Sequence, residues 1–133
     1  MLRIGFLPSD FNPMLLMLGE PEDLRALGGV LRKFARDGGS VRLDELAFCS
    51  TSAVNLTLAA GTPAGVFPPT ETDRRFVWRI DPEQATAFAG MADLLAEPGR
   101  IAGSELLECG IAEGIAVKLS RGEYTDDFLL PAT

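Results

Sequence analysis

Apolar positions along the chain fall into short runs divided by turn chemistry. Leu2–Leu7 reads as a strand stopped by Pro8. Ser9 to Pro13 is a turn cluster, with Asn12 before Pro13 disfavouring helix. Met14–Leu18 is continuously apolar, the pattern of a strand buried on both faces. Glu20-Pro21-Glu22-Asp23 then opens a helix. Proline suits a first turn, where its missing N–H has no intrahelical partner, and acids there oppose the helix dipole. Leu24, Leu27, Val30, Leu31 and Phe34 form one apolar face, and Gly38-Gly39 ends the helix. Gly28-Gly29 in its middle predicts close packing against a sheet or a second helix.

Val41–Cys49 and Ala53–Ala60 predict a hairpin across Ser50-Thr51-Ser52. Leu56 and Leu58 face inward there, and Asn55 and Thr57 face outward. A Pro/Thr-rich passage over 61–73 contains the weak strand Gly65-Val66-Phe67. Arg75–Ile80 is the clearest strand, with Phe76, Trp78 and Ile80 on one side. Asp81 and Pro82 start a second helix that the pattern carries to Glu97, with Ala85, Phe88, Ala92 and Leu95 inward. Glu105–Cys109 and Gly114–Ser120 predict a last hairpin.

This order repeats. Glu20-Pro21-Glu22 falls on Asp81-Pro82-Glu83 at an offset of 61 residues, and Ala26, Gly29 and Ala35 fall on Ala87, Gly90 and Ala96. With one-residue shifts, Gly5 meets Gly65, and Glu45, Leu46 and Cys49 meet Glu105, Leu106 and Cys109. The expected fold class is therefore α+β. We expect one domain over 1–133, built from internal ββαββ repeats at 2–61 and 62–122, with mainly antiparallel sheet and two helices packed on it.

Composition narrows the function classes. At 47% apolar and 23% charged, the 133 residues have a globular balance. A net charge of −7 argues against binding nucleic acid or anionic lipid. No apolar run is long enough for a membrane span, and the N-terminus lacks the pattern of a signal peptide. Two cysteines without framework spacing fit a reducing, cytoplasmic location.

No histidine occurs, which removes Ser-His-Asp and Cys-His catalysis and most zinc sites. Cys49 and Cys109 read first as small buried residues. The most site-like stretch is Ser120 to Asp127. Glu123, Asp126 and Asp127 offer the oxygen ligands a divalent cation takes, but without the spacing of a calcium loop. The plainer reading is that Thr125 caps a short terminal helix, with Asp126 and Asp127 in its first turn. Arg121, Tyr124 and Trp78 are candidates for a binding surface, although the alternation around Trp78 points it inward.

The favoured function is a non-enzymatic binding or regulatory protein of the immunity or adaptor kind, with another protein as partner and no cofactor. One alternative is a small-ligand or divalent-metal enzyme with a cleft between the repeats. Another is a structural homodimer subunit pairing through strand edges. On the favoured reading, millimolar Mg²⁺ or Ca²⁺ leaves the melting temperature unchanged. On the metal reading it raises it, because a ligand bound only to the folded state stabilises by mass action. Replacing Asp126 and Asp127 by Asn would then abolish the rise.

Overall fold

A computed structural model describes residues 1–7, 13–52, 54–61, 63–67, 74–100, 102–107 and 115–122. The described strands are β1 (Leu2–Leu7), β2 (Met14–Leu18), β3 (Ser40–Arg42), β4 (Cys49–Ser52), β5 (Asn55–Ala59), β6 (Gly65–Phe67), β7 (Arg75–Arg79), β8 (Gly103–Leu106) and β9 (Ala116–Arg121). Helix α1 spans Pro21–Asp37 and α2 spans Pro82–Leu95.

Both helices begin as their sequences dictate. In α2 the Asp81 carboxylate accepts from Gln84 N at 2.7 Å, and Gln84 Oε1 accepts from Asp81 N at 3.1 Å. In α1 the Asp23 carboxylate accepts from Glu20 N at 2.9 Å. These contacts satisfy N–H groups that a helix start leaves open. The α1 stripe of Leu24, Leu27, Leu31 and Phe34 is buried, as are Ala85, Phe88, Ala92 and Leu95 of α2.

The helices pack on two sheets, one ordered β4-β1-β2-β9-β8 and the other β3-β5-β7-β6. The first has five described strands and the second four. The expectation of mainly antiparallel sheet is corrected, because both are mixed. β1·β2, β3·β5, β6·β7 and β8·β9 run antiparallel, while β1·β4, β2·β9 and β5·β7 run parallel. Neither half of the chain keeps its strands to itself. The central pair of each sheet joins a strand of the first half to one of the second.

The ladders carry a numerical regularity. β2 pairs with β9 as Met14↔Ala116 through Leu18↔Ser120. β5 pairs with β7 as Asn55↔Arg75 through Ala59↔Arg79. Moving 61 residues on from β2 gives β7, and moving 61 back from 116–120 gives β5, so one register reproduces the other. The same interval separates Arg32 from Asp93, which form an ion pair between the helices. Nearby, Gly28 of α1 lies against α2. A Cβ there would sit 3.6 Å from the Ala89 carbonyl oxygen and 3.1 Å from Asp93 Oδ1. Gly28 thus meets the expectation of close helix packing, whereas Gly29 faces open space.

The outer strands do not follow the sequence alignment. By ladder position Gly5 corresponds to Phe67 rather than Gly65, and Arg42 corresponds to Leu106. The first predicted hairpin is also corrected. Ser50 and Thr51 are not a turn but lie in β4, which pairs with β1 in the other sheet. The antiparallel partner of β5 is the short β3, and a 3-10 turn over Leu43–Glu45 separates β3 from β4. β8 and β9 pair antiparallel, as the last hairpin leads one to expect, but β8 lies at Gly103–Leu106 and shares only Glu105 and Leu106 with the expected strand Glu105–Cys109, whose Cys109 lies outside the described residues.

One main apolar cluster runs from both helices into both sheets. Phe6 and Phe76 join the sheets, with ring centroids 5.1 Å apart. Trp78 stacks on Phe88 with centroids 5.9 Å apart and ties β7 to α2. Phe88→Ala should remove this stack and leave a cavity, costing about 3–5 kcal/mol. Urea unfolding measures it, and a loss below about 1 kcal/mol would mean that this contact does not hold α2 to the sheet.

Candidate functional site

The residues singled out from sequence do not assemble into one site among the described residues. Trp78 has an exposure of 0% and lies in the core rather than on a surface. Its Nε1 is buried without a hydrogen-bond partner among the described residues. Arg121 has a helix-capping position. Its Nη1 donates to the Leu95 and Glu97 carbonyls at 2.7 and 3.0 Å. Arg25 Nη2 adds a bond to the Ala96 carbonyl at 3.0 Å. α2 has no basic residue in its own last turn, so two guanidinium groups from elsewhere meet the negative end of its dipole. Glu123, Tyr124, Asp126, Asp127 and Cys109 lie outside the described residues. Cys49 is a free thiol buried in β4. Burial pushes its pKa up to about 11, with the charges of Asp23 and Asp44 adding to the effect, so it stays protonated and weakly nucleophilic at neutral pH. Among the described residues no group of three or more His, Cys, Asp or Glu could hold a metal ion. No described helix is long and apolar enough to cross a membrane.

A different set of residues does converge. In the four-stranded sheet, Leu56, Leu58, Phe76, Trp78 and Val66 are buried in the core. Strand alternation sends their neighbours to the opposite face. The ladders arrange those neighbours in rows. Asn55 stands beside Arg75. Arg42, Thr57, Val77 and Phe67 form the next row across all four strands. Ser40, Ala59, Arg79 and Gly65 form the third. A hollow of about 490 Å³ opens on this face, lined by Arg42, Asn55, Thr57, Phe67, Arg75, Phe76 and Val77.

Its chemistry is basic and amphipathic. The Arg79 guanidinium lies over the Phe67 ring, 4.9 Å from the centroid, a cation–π contact that leaves its outer N–H groups able to donate. Arg42 is half-exposed at the rim, where Nη2 reaches Asp44 at 2.8 Å and Nη1 reaches Glu45 at 3.2 Å. Asp44 turns its other oxygen inward to accept from Leu56 N at 3.0 Å, which fixes the 3-10 turn against β5. Burial alone would raise the Asp44 pKa. Hydrogen bonds from Arg42 and the Leu56 backbone outweigh that and hold it below the ordinary carboxylate value.

The sequence reading had Asn55 and Thr57 outward on one strand and Arg75 at the start of another. It had no means of joining them, because the join is the parallel register of β5 and β7. The available signal was a strand, Arg75–Arg79, carrying arginine at both ends of its non-core face.

Comparison with family models, with curated proteins and with solved structures finds no match to the chain.

Asp44→Ala should leave the Leu56 N–H buried and unpaired and cost about 1–3 kcal/mol. With a lowered folded pKa, the Asp44 contribution is present above the unfolded carboxylate pKa and is lost as pH falls through the folded one. Wild type should therefore lose stability relative to the variant below about pH 4, the ordinary Asp range. Urea midpoints at pH 7 and pH 3 measure it, and an equal gap at both would refute the assigned role.

Proposed function

We propose that this chain is a non-enzymatic protein-binding or regulatory protein, built as a duplicated ββαββ unit, that holds its partner on the outer face of the four-stranded sheet. The observation that carries the reading is the amphipathic face itself. Arginines stand at its edges, Asn55 and Thr57 offer neutral hydrogen-bonding groups, and Val77 with Phe67 supplies apolar contact. Arginine and aromatic side chains are the types that carry binding energy at protein interfaces. Among the described residues, the groups around the hollow include no nucleophile set against a base, which is the arrangement acyl or phosphoryl transfer requires. The 61-residue interval shared by the two central ladders and the helix ion pair supports the duplication.

A homodimer is the second reading. Leu106 is 45% exposed on β8, the last strand of its sheet, and Leu94 of α2 is 50% exposed. An apolar residue on an outer strand favours pairing with another chain.

A photo-crosslinking amino acid at Thr57 separates the two readings. In a lysate of the source organism it should give an adduct with one heterologous protein, absent when the same group replaces Lys33 on α1 and lost in Arg79→Glu. Adducts between copies of the chain, with a dimer in sedimentation, would favour the second reading. Adducts from Lys33 alone would sink the sheet-face reading.

A further inference from the structure

We infer that two copies of this chain exchange halves, the half carrying β6 to β9 of each copy seating on the half carrying β1 to β5 of the other. Exchange of halves is separate from whatever the outer face of the four-stranded sheet binds.

A division between Ala59 and Gly65 splits both sheets at their central pair. The first half supplies β4, β1 and β2 to one sheet and β3 and β5 to the other. The second half supplies β9 and β8 to the one and β7 and β6 to the other. Across the division run the parallel ladders β2·β9 and β5·β7, the Phe6–Phe76 ring contact and the Arg32–Asp93 ion pair. The buried row of Leu15 and Met17 meets that of Val117 and Leu119 there as well. A half without its complement would expose such rows to water, together with the pairing edge of a central strand in each sheet. A second copy carries the same complement. An exchanged pair therefore keeps each of these contacts and changes only the connection between the halves.

That connection is short and crosses a strand. β5 and β6 lie on opposite sides of β7, and Ala59, Arg79 and Gly65 share one row of the sheet. Two strand spacings separate the two ends, about 10 Å. Residues 60–64 join them past the point where the chain leaves Arg79 for α2. The passage is close. A Cβ on Gly61 would lie 3.7 Å from Arg79 Cδ, and Ile80 N donates to the Ala59 carbonyl at 3.1 Å. Gly61 has a φ of 147° and Gly65 one of 134°, a backbone that residues with a side chain rarely adopt. In an exchanged pair the connection runs from one copy's lobe to the other and need not cross its own β7. A short, constrained hinge between two halves that hold each other through long ladders is the arrangement that favours exchange.

The test unfolds the wild-type chain in urea and refolds it at millimolar and at micromolar concentration, since a short linker holds a chain's own half at an effective concentration in the millimolar range. Size exclusion with light scattering should show a dimer from the concentrated sample, slow to revert on dilution, and monomer from the dilute one. A short bismaleimide on the double variant Arg32→Cys, Asp93→Cys reads which chains meet, because both positions are half-exposed and lie on opposite sides of the division. The unsubstituted chain controls for Cys49 and Cys109. On a denaturing gel the dimer fraction should run as a covalent dimer and the monomer fraction as a single chain. Deleting Pro63 and Ala64 cuts the reach of the connection to about 14 Å fully extended, leaving no slack to rise over a strand on the way. That variant should be mainly dimeric even at micromolar concentration. A folded, monomeric deletion variant would overturn the inference. Absence of a dimer after concentrated refolding of wild type would overturn it too, whether or not the deletion variant folds. So would a dimer whose crosslinks stay within one chain, since such a dimer pairs through its outer surfaces without exchange.

Discussion

The parallel pairing of β2 with β9 is the constraint on which the rest of the molecule depends. It brings Met14–Leu18 against Ala116–Ser120, so the five-stranded sheet closes only when the two ends of the described chain meet. The pairing of β5 with β7 does the same within the middle of the chain. Parallel neighbours cannot be joined by a tight turn, so each central pair draws on separate stretches of sequence. Closing such long loops costs entropy before the contact returns anything. The apolar residues flanking both ladders supply the return. Leu15 and Met17 of β2 face Val117 and Leu119 of β9, all buried, and Leu56 and Leu58 face Phe76 and Trp78.

Helix contact then sets how the sheets sit. α1 follows β2 and α2 follows β7, so each helix is anchored to a central strand by its own start. The close approach at Gly28 and the Arg32–Asp93 pair fix the helices against each other. The end of α2 is held from outside by Arg25 and Arg121, and Pro98 disfavours helical backbone at Glu97 before it. One arginine comes from the other helix and one from β9. Helix α2 is thereby linked both to α1 and to the sheet opposite its own strand.

Local elements were legible in the sequence, and their partners were not. Glu20-Pro21 and Asp81-Pro82 marked both helix starts because capping chemistry is local. Alternation in Asn55–Ala59 and Arg75–Arg79 gave the buried faces. β4 was misread because Cys49-Ser50-Thr51-Ser52 is polar and lies at the outside of its sheet. Such a strand is held by backbone pairing with β1 and carries no hydrophobic alternation to announce it. Reading Ser50 to Ser52 as a turn then assigned Val41–Cys49 to one strand, when β3 and β4 belong to different sheets. The basic face failed for a related reason. Arg42, Asn55, Thr57, Arg75 and Arg79 are scattered over nearly forty positions, and only the register of three ladders assembles them. Trp78, which the alternation of its strand pointed inward, lies in the core, so its weaker candidacy for a binding surface falls away.

The two sheets have matching ladders and opposite chemistry on their outer faces. In β2 the outward positions carry Leu16 and Leu18, both buried, with Leu7 packed beside them. The ladder counterparts in β7 are Val77 and Arg79, which are only partly buried. On β9, Lys118 and Ser120 stand where β5 has Thr57 and Ala59. Backbone pairing tolerates either set, because the ladder bonds involve no side chain. What differs is the environment each face requires. Leucines at 0% and 1% exposure are stabilised by removal from water. Arginine gains nothing from such removal and loses hydration unless an opposite charge replaces it. The five-stranded sheet therefore uses its outer face as a second, smaller core, whereas the four-stranded sheet leaves Asn55 and Arg75 exposed and Thr57, Val77 and Arg79 partly buried.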